Sequence, residues 1–167
     1  MLIVIRGGGD LATGVALRLY RSGMDVVICE TAVPTSIRRT VCFSEAVRLG
    51  EMMVEGVTAR RAVPEEVPAL LAAGIVPVLV DPEGDCIPGL RPDAVVDAIL
   101  AKRNLGTSMD MAPIVVAAGP GFTAGVDCHA AVETMRGHYL GRVIYEGSPL
   151  PNTNIPGLIG GYAGERV

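Results

Sequence analysis

The chain opens on an uninterrupted aliphatic run, Leu2 to Ile5, closed by Arg6 and three glycines, and a second such run spans Val26 to Cys29. Runs this short and this uniformly apolar suit strands buried on both faces. Between them Leu11, Val15, Leu17, Leu19 and Tyr20 share one broad face of a helix that stops near Gly23. The pattern predicts a βαβ unit. Pro34 is placed to open a second helical stretch, with Ile37, Val41, Ala46, Val47 and Leu49 as its apolar side and Gly50 as its stop. Residues 51–63 read as a pair of short strands. Residues 64–74 (PEEVPALLAAG) have Pro at the start, acids in the first turn and Gly at the end, the asymmetry of a capped helix.

A strand is predicted at 76–80 (VPVLV), then a turn-rich crossing from Asp81 and Pro82, then a helix over 92–103, with acids early and bases late. Residues 114–118 (IVVAA) form the clearest later strand and run directly into Gly119-Pro120-Gly121-Phe122-Thr123-Ala124-Gly125. Residues 126–136 are predicted helical and 142–146 strand-like. From Gly147 onward the chain is dense in Gly and Pro, with little core of its own. The expected organisation is a Rossmann-like α/β domain over 1–146, an open and mostly parallel sheet with helices on both faces, followed by a tail or linker over 147–167.

Composition agrees with this architecture. Half of the 167 residues are hydrophobic, only 4% are aromatic and there is no Trp, so the core must be aliphatic, as buried parallel strands require. A net charge of -4, from 14 basic and 18 acidic residues, argues against a nucleic-acid surface or a polybasic membrane anchor. The first apolar run is far too short for a signal peptide or a spanning helix, so the expected location is the cytoplasm, without membrane contact. Cys29, Cys42, Cys86 and Cys128 are scattered, with no C-x-x-C and no zinc-ribbon spacing, and suggest neither a disulfide framework nor a cysteine-rich metal site.

Two glycine-rich turns carry the candidate chemistry. Gly7-Gly8-Gly9-Asp10-Leu11-Ala12 matches G-x-G-x-x-A between a strand and a helix, the context that this fingerprint requires. Gly7 permits the turn, Gly9 lets backbone approach a pyrophosphate, and Ala12 allows helix to pack on strand. Glu30, at the end of the second strand, is placed to accept ribose hydroxyls and to repel a 2'-phosphate, so a dinucleotide there would resemble NAD rather than NADP. Asp10 is the awkward member, costly beside a pyrophosphate unless it caps the helix or pairs with Arg6. The second turn offers Gly119, Gly121 and Thr123 to another anionic group, or is a plain connection. Beyond it, His129 and Glu133 at a spacing of four share a helix face, as a metal pair or as a solvated one. Arg38 and Arg39 are adjacent and must diverge, so at most one of them faces a ligand.

Three segments, IRGGGDLATGVALRLYRSGMDVVICET, IRRTVCFSEAV and GPGFTAGVDCHAAVETMRGHYLGRVIYEG, closely resemble the YqeB-like family of selenium-dependent molybdenum hydroxylase accessory proteins, distant relatives of the XdhC/CoxI maturation factors. The resemblance runs from about residue 3 to residue 166. It implies a Rossmann-like protein of molybdenum cofactor maturation or delivery, binding a molybdopterin-type cofactor, or NAD or another nucleotide, and meeting a molybdenum hydroxylase subunit. The family positions fall on Gly7, Gly8, Gly9 and Asp10; on Arg38, Arg39, Ser44 and Glu45; and on Gly119 to Asp127 with Glu133, Arg136, Gly137 and His138. Family members continue beyond the segment that ends this chain, and they carry an aliphatic residue at the position of Cys128. An NAD-dependent oxidoreductase and a hydroxylase chaperone or scaffold with empty loops are the competing expectations. Self-association is left open.

Overall fold

A computed structural model describes residues 1–151. Nine strands form one sheet: β1 (Leu2–Arg6), β2 (Asp25–Glu30), β3 (Glu51–Val54), β4 (Val57–Ala62), β5 (Val76–Val80), β6 (Ala94–Asp97), β7 (Ile114–Ala118), β8 (Ala130–Val132) and β9 (Val143–Ile144). Their order is β3-β4-β5-β2-β1-β6-β7-β8-β9. All neighbours are parallel except the two edge pairs, β3 with β4 and β8 with β9. This is the expected open, mostly parallel α/β sheet of Rossmann type.

Alternation along β1 explains the two layers. Ile3 and Ile5 join a core with Ala12, Ala16 and Leu17 of helix α1 (Asp10–Arg21) and Ala46 and Val47 of α2 (Ala46–Leu49). Val4 joins the opposite core with Val67 of α3 (Val67–Ala72) and Ile87 of α4 (Ile87–Leu90). Period-two side-chain direction thus puts helices on both faces of a strand whose residues are almost all apolar. The sheet grows from β1 in both directions, β2 on one side and β6 on the other. In open α/β sheets such a switch point leaves a crevice at the carboxyl ends of the strands.

Three predicted helices are corrected. The stretch from Pro34 to Gly50 is a loop, two turns of 3-10 helix (Arg39–Val41 and Phe43–Glu45) and the single turn α2. Its supposed apolar face is not buried as one: Ile37 is 94% exposed. Thr35, Ser36, Thr40 and Val41 are poor helix formers, and the Ser36 and Ser44 hydroxyls bond each other instead. Residues 92–103 hold β6, not a helix. Pairing of Val95 with Val4 and Val115 overrides the charge pattern, and Leu100 and Lys102 have φ of 60° and 62°, which no α-helix tolerates. The acids that looked like helix-start charges have tertiary duties: Asp93 accepts the Leu2 N–H, and Asp97 faces Arg6. Finally, 126–136 is a turn followed by β8, parallel to β7. The strand expected at 142–146 is only Val143–Ile144.

At the start of the Gly/Pro-rich segment, the Ala124 N–H donates to Gly147 O (2.8 Å), and Thr123 and Ser148 hydroxyls lie 3.0 Å apart. The remainder of that predicted tail, 152–167, lies outside the described residues.

Candidate functional site

The first glycine loop sits at the switch point, and each glycine has a different reason to be there. Gly7 has φ +95°, and a Cβ on it would stand 3.0 Å from Ala98 O and from the Ile99 backbone, because the loop after β6 presses against it. Gly8 is equally enclosed, with a Cβ there falling 3.0 Å from Ser44 N. Its N–H donates to Glu30 Oε2 (2.8 Å), and its carbonyl accepts from Ser44 N (2.8 Å) and from the buried Thr13 hydroxyl (3.2 Å). Gly9 differs. Its φ of -66° and ψ of -177° are open to any residue, and among the described residues only Ser36 Oγ, at 3.7 Å, lies near a Cβ built on it. The fold therefore demands glycine at 7 and 8 but not at 9.

Gly9 is the N-cap of α1 and has no side chain with which to cap it. The first-turn N–H groups of a helix lack intrahelical acceptors, so these donors face outward with the positive end of the helix dipole. Asp10 would oppose an anion there. Its carboxylate is ion-paired with Arg38, not with Arg6. Arg6 instead runs into the opposite face of the sheet, where it is 1% exposed. Arg39 turns away from Arg38, toward Glu45 Oε1 at 3.8 Å. Glu30, besides holding Gly8, accepts the Thr31 N–H (2.7 Å), and thus fixes both sides of the crevice while keeping lone pairs free.

These residues surround one cavity of about 560 Å³, with Gly7, Gly9, Asp10, Ala12, Glu30 and Arg38 in its walls. Ala98, Ile99 and Leu100 close its far side, and Val33 and Ile37, 79% and 94% exposed, rim its mouth. A second cavity of about 250 Å³ shares Gly7, Glu30 and Thr31 and extends past Cys29 to Glu83 and Leu105. Sequence inspection missed Ser36, Ile37 and the 98–100 wall. The first two lie in the stretch after Pro34 whose pattern predicts a helix but which folds as loop and 3-10 turns, and the third comes from beyond β6.

The second glycine loop does not line the first cavity. Gly121 and Thr123 line a separate cavity with Lys102 and Pro149. Gly119 and Gly121 have φ of +86° and +104°, and a Cβ on Gly121 would stand 2.4 Å from Arg103 Cα. These glycines are dictated by packing. The Thr123 N–H is taken by Asp127 Oδ2 (2.7 Å). With no helix at 126–136, His129 and Glu133 do not form a pair: His129 Nδ1 accepts the Val115 N–H (3.0 Å), whereas the buried Glu133 accepts the N–H of Met135 and of Leu150, each at 2.7 Å. Arg136 and His138 are exposed on the turn before β9.

Burial pushes the Cys128 and Cys42 thiols upward from their ordinary values, so neither is an activated nucleophile. Cys29 and Cys86 are not scattered in space, since their sulfurs lie 3.5 Å apart. The Cys86 thiol is pushed up by its hydrogen bond with Cys29, by burial and by nearby Asp81. Burial acts to raise the Asp81 carboxyl too, but the Cys86 thiol and the N–H groups of Cys86, Asp85 and Gly84 outweigh it and hold the group below its usual value.

Aligned over 167 residues, the chain is 57% identical to the Escherichia coli (strain K12) protein named "Uncharacterized protein YqeB". The chain is similar to YqeB. The match covers 99% of this chain and 31% of that relative, so the chain spans about a third of the relative's length. The name agrees with the YqeB-like family that the three sequence segments resemble. No protein-family model and no solved structure matches the chain. Among the described residues, no helix is long and apolar enough to cross a membrane.

Proposed function

We propose that this chain holds the phosphate-bearing end of a molybdopterin-type cofactor or of a nucleotide over Gly7 to Ala12, as a cytoplasmic accessory protein in maturation or delivery of the molybdenum cofactor to selenium-dependent molybdenum hydroxylases. The observation that carries the binding half of this reading is Gly9. It is a glycine that neither backbone conformation nor packing requires, placed at a helix start whose N–H donors open on a cavity. A Cβ there would fill the space through which an anion approaches those donors, and such helix starts suit phosphate. Arg38 neutralises Asp10, so the pair presents no net negative charge to an anion. Exposed Val33 and Ile37 offer an apolar rim to a flat ring system. The maturation half rests on the family resemblance and on the similarity to YqeB.

The test is titration of the 167-residue chain with molybdopterin cofactor, NAD and simple nucleotides, alongside Gly9→Ser. Serine is a good N-cap and its hydroxyl competes for the same N–H groups, so stability is expected to stay within about 0.5 kcal/mol. Affinity for the ligand is expected to fall about ten-fold or more, a loss of about 1.4 kcal/mol. Absence of saturable binding to any of these compounds refutes the reading. NAD binding accompanied by hydride transfer would replace it with the oxidoreductase. Co-purification of a hydroxylase subunit that Gly9→Glu leaves intact, without ligand binding, would replace it with the scaffold.

A further inference from the structure

On the face of the sheet opposite α1, three donor groups from distant parts of the chain converge. Cys29 lies near the end of β2, Asp81 just after β5, and Cys86 just before α4. One ligand atom from each lies within 4.8 Å of the other two. We propose that Cys29, Asp81 and Cys86 form a binding site for a thiophilic divalent cation of the zinc type, with water in the fourth position. This site is separate from the Gly9 crevice and stands whether or not that crevice binds phosphate.

The geometry fits the cation before it arrives. With zinc–sulfur bonds of about 2.3 Å, two thiolates on a tetrahedral ion are about 3.8 Å apart. The observed separation of Cys29 and Cys86 sulfurs is 3.5 Å. Two sulfurs and one carboxylate oxygen form a donor set that zinc accepts readily, whereas harder cations prefer oxygen throughout. Asp81 is already held in place: Oδ1 accepts the Gly84 and Asp85 N–H groups and Oδ2 accepts the Cys86 N–H. A carboxylate has about four lone-pair sites, so one remains beyond these three N–H groups, with the Cys86 sulfur within 4.8 Å of the carboxylate. When a cation displaces the thiol protons, that site turns to the metal without disturbing the loop. These N–H groups orient the carboxylate much as hydrogen bonds to ligating side chains do in established metal centres.

Charge agrees as well. Two thiolates and one carboxylate around a divalent ion leave a net charge of about -1. Arg6 is the register partner of Cys29 in the β1–β2 pairing. Its guanidinium is buried, and its Nε, without a hydrogen-bond partner among the described residues, lies 3.7 Å from where a Cβ on Gly84 would stand. An anionic cluster beside that loop gives this buried guanidinium, already paired with Asp97, a further partner. Cys86 and Asp81 also line a cavity of about 390 Å³, the route for water to complete the coordination.

The experiment uses the reduced 167-residue chain, with Zn(II) alone and Co(II) alone as probes. One equivalent of either is expected to bind, with thiolate-to-cobalt charge-transfer bands and tetrahedral d–d bands for Co(II). Cys29→Ser and Cys86→Ser are expected to abolish those bands, and Asp81→Asn to weaken binding about ten-fold or more. Cys42→Ser and Cys128→Ser should keep the bands. X-ray absorption on the zinc-loaded wild type decides the matter even if a variant misfolds: two sulfur and two oxygen neighbours are expected. No binding by the reduced chain, or a shell without two sulfurs, would overturn the site.

Discussion

Asp97→Ala is expected to lower the unfolding free energy by about 3–5 kcal/mol, the range for breaking a buried pair and leaving one charge uncompensated. Arg6 and Asp97, each 1% exposed, end neighbouring strands, with guanidinium and carboxylate 3.8 Å apart. Thr107 bridges them, accepting from Arg6 at 2.5 Å and donating to Asp97 at 2.6 Å. Arg6 also donates to the carbonyls of Pro82 and Leu105, both at 2.9 Å, and so ties two long connections to the central strand. Without Asp97 the guanidinium keeps its carbonyl partners but loses its only facing carboxylate among the described residues. Denaturant unfolding should show a lower midpoint at an unchanged slope. Arg6→Met combined with Asp97→Leu is expected to restore only part of the loss, because the Pro82 and Leu105 carbonyls are then orphaned. A cost below about 1 kcal/mol for Asp97→Ala would mean that water already reaches the pair.

Gly121→Ala is expected to cost about 3 kcal/mol or more, combining a positive φ with backbone overlap. The new Cβ would fall 2.4 Å from Arg103 Cα and 2.6 Å from Arg103 N, and backbone cannot swing aside as a flexible side chain can. Gly125, in the same loop, has φ +87° and no heavy atom within 4 Å of a Cβ among the described residues. Gly125→Ala therefore isolates the conformational part, about 1 kcal/mol. Thermal melts of the two variants measure the difference. Equal losses would show that crowding by Arg103 contributes nothing.

How legible this protein is in its sequence varies along the chain, for physical reasons. The β1–α1–β2 unit is written locally: an aliphatic strand, glycines at the turn and a helix of ordinary length between them. The predicted helix over 64–74 and the strand at 76–80 also stand out, since their caps lie beside them. By contrast, β6 and β8 are four and three residues long, too short for periodicity to declare itself. Their alanines favour helix in isolation, and only the neighbouring strands decide otherwise. The candidate site divides the same way. Gly7, Gly9, Ala12 and Glu30 belong to one βαβ unit, whereas the wall at 98–100 and the pairing of Cys29 with Cys86 depend on contacts that no local spacing encodes. A glycine also looks the same in sequence whether or not its neighbours crowd it. Only the built Cβ separates Gly121 from Gly9.

The placement of β6 beside β1 has a consequence for how the cleft comes into being. Leu2 bonds Asp93, and Arg6 bonds Thr107, across sequence separations of 91 and 101 residues. A nascent chain that has emerged only as far as β5 carries the whole glycine fingerprint and its acidic partner, yet Gly7 still lacks Ala98 and Ile99 against it. Contacts this distant close late, because the chain must first surrender the entropy of the loop between them. The pocket and the centre of the sheet are finished by the same closure, so a ligand bound there as proposed would stabilise the chain only once β6 is in place.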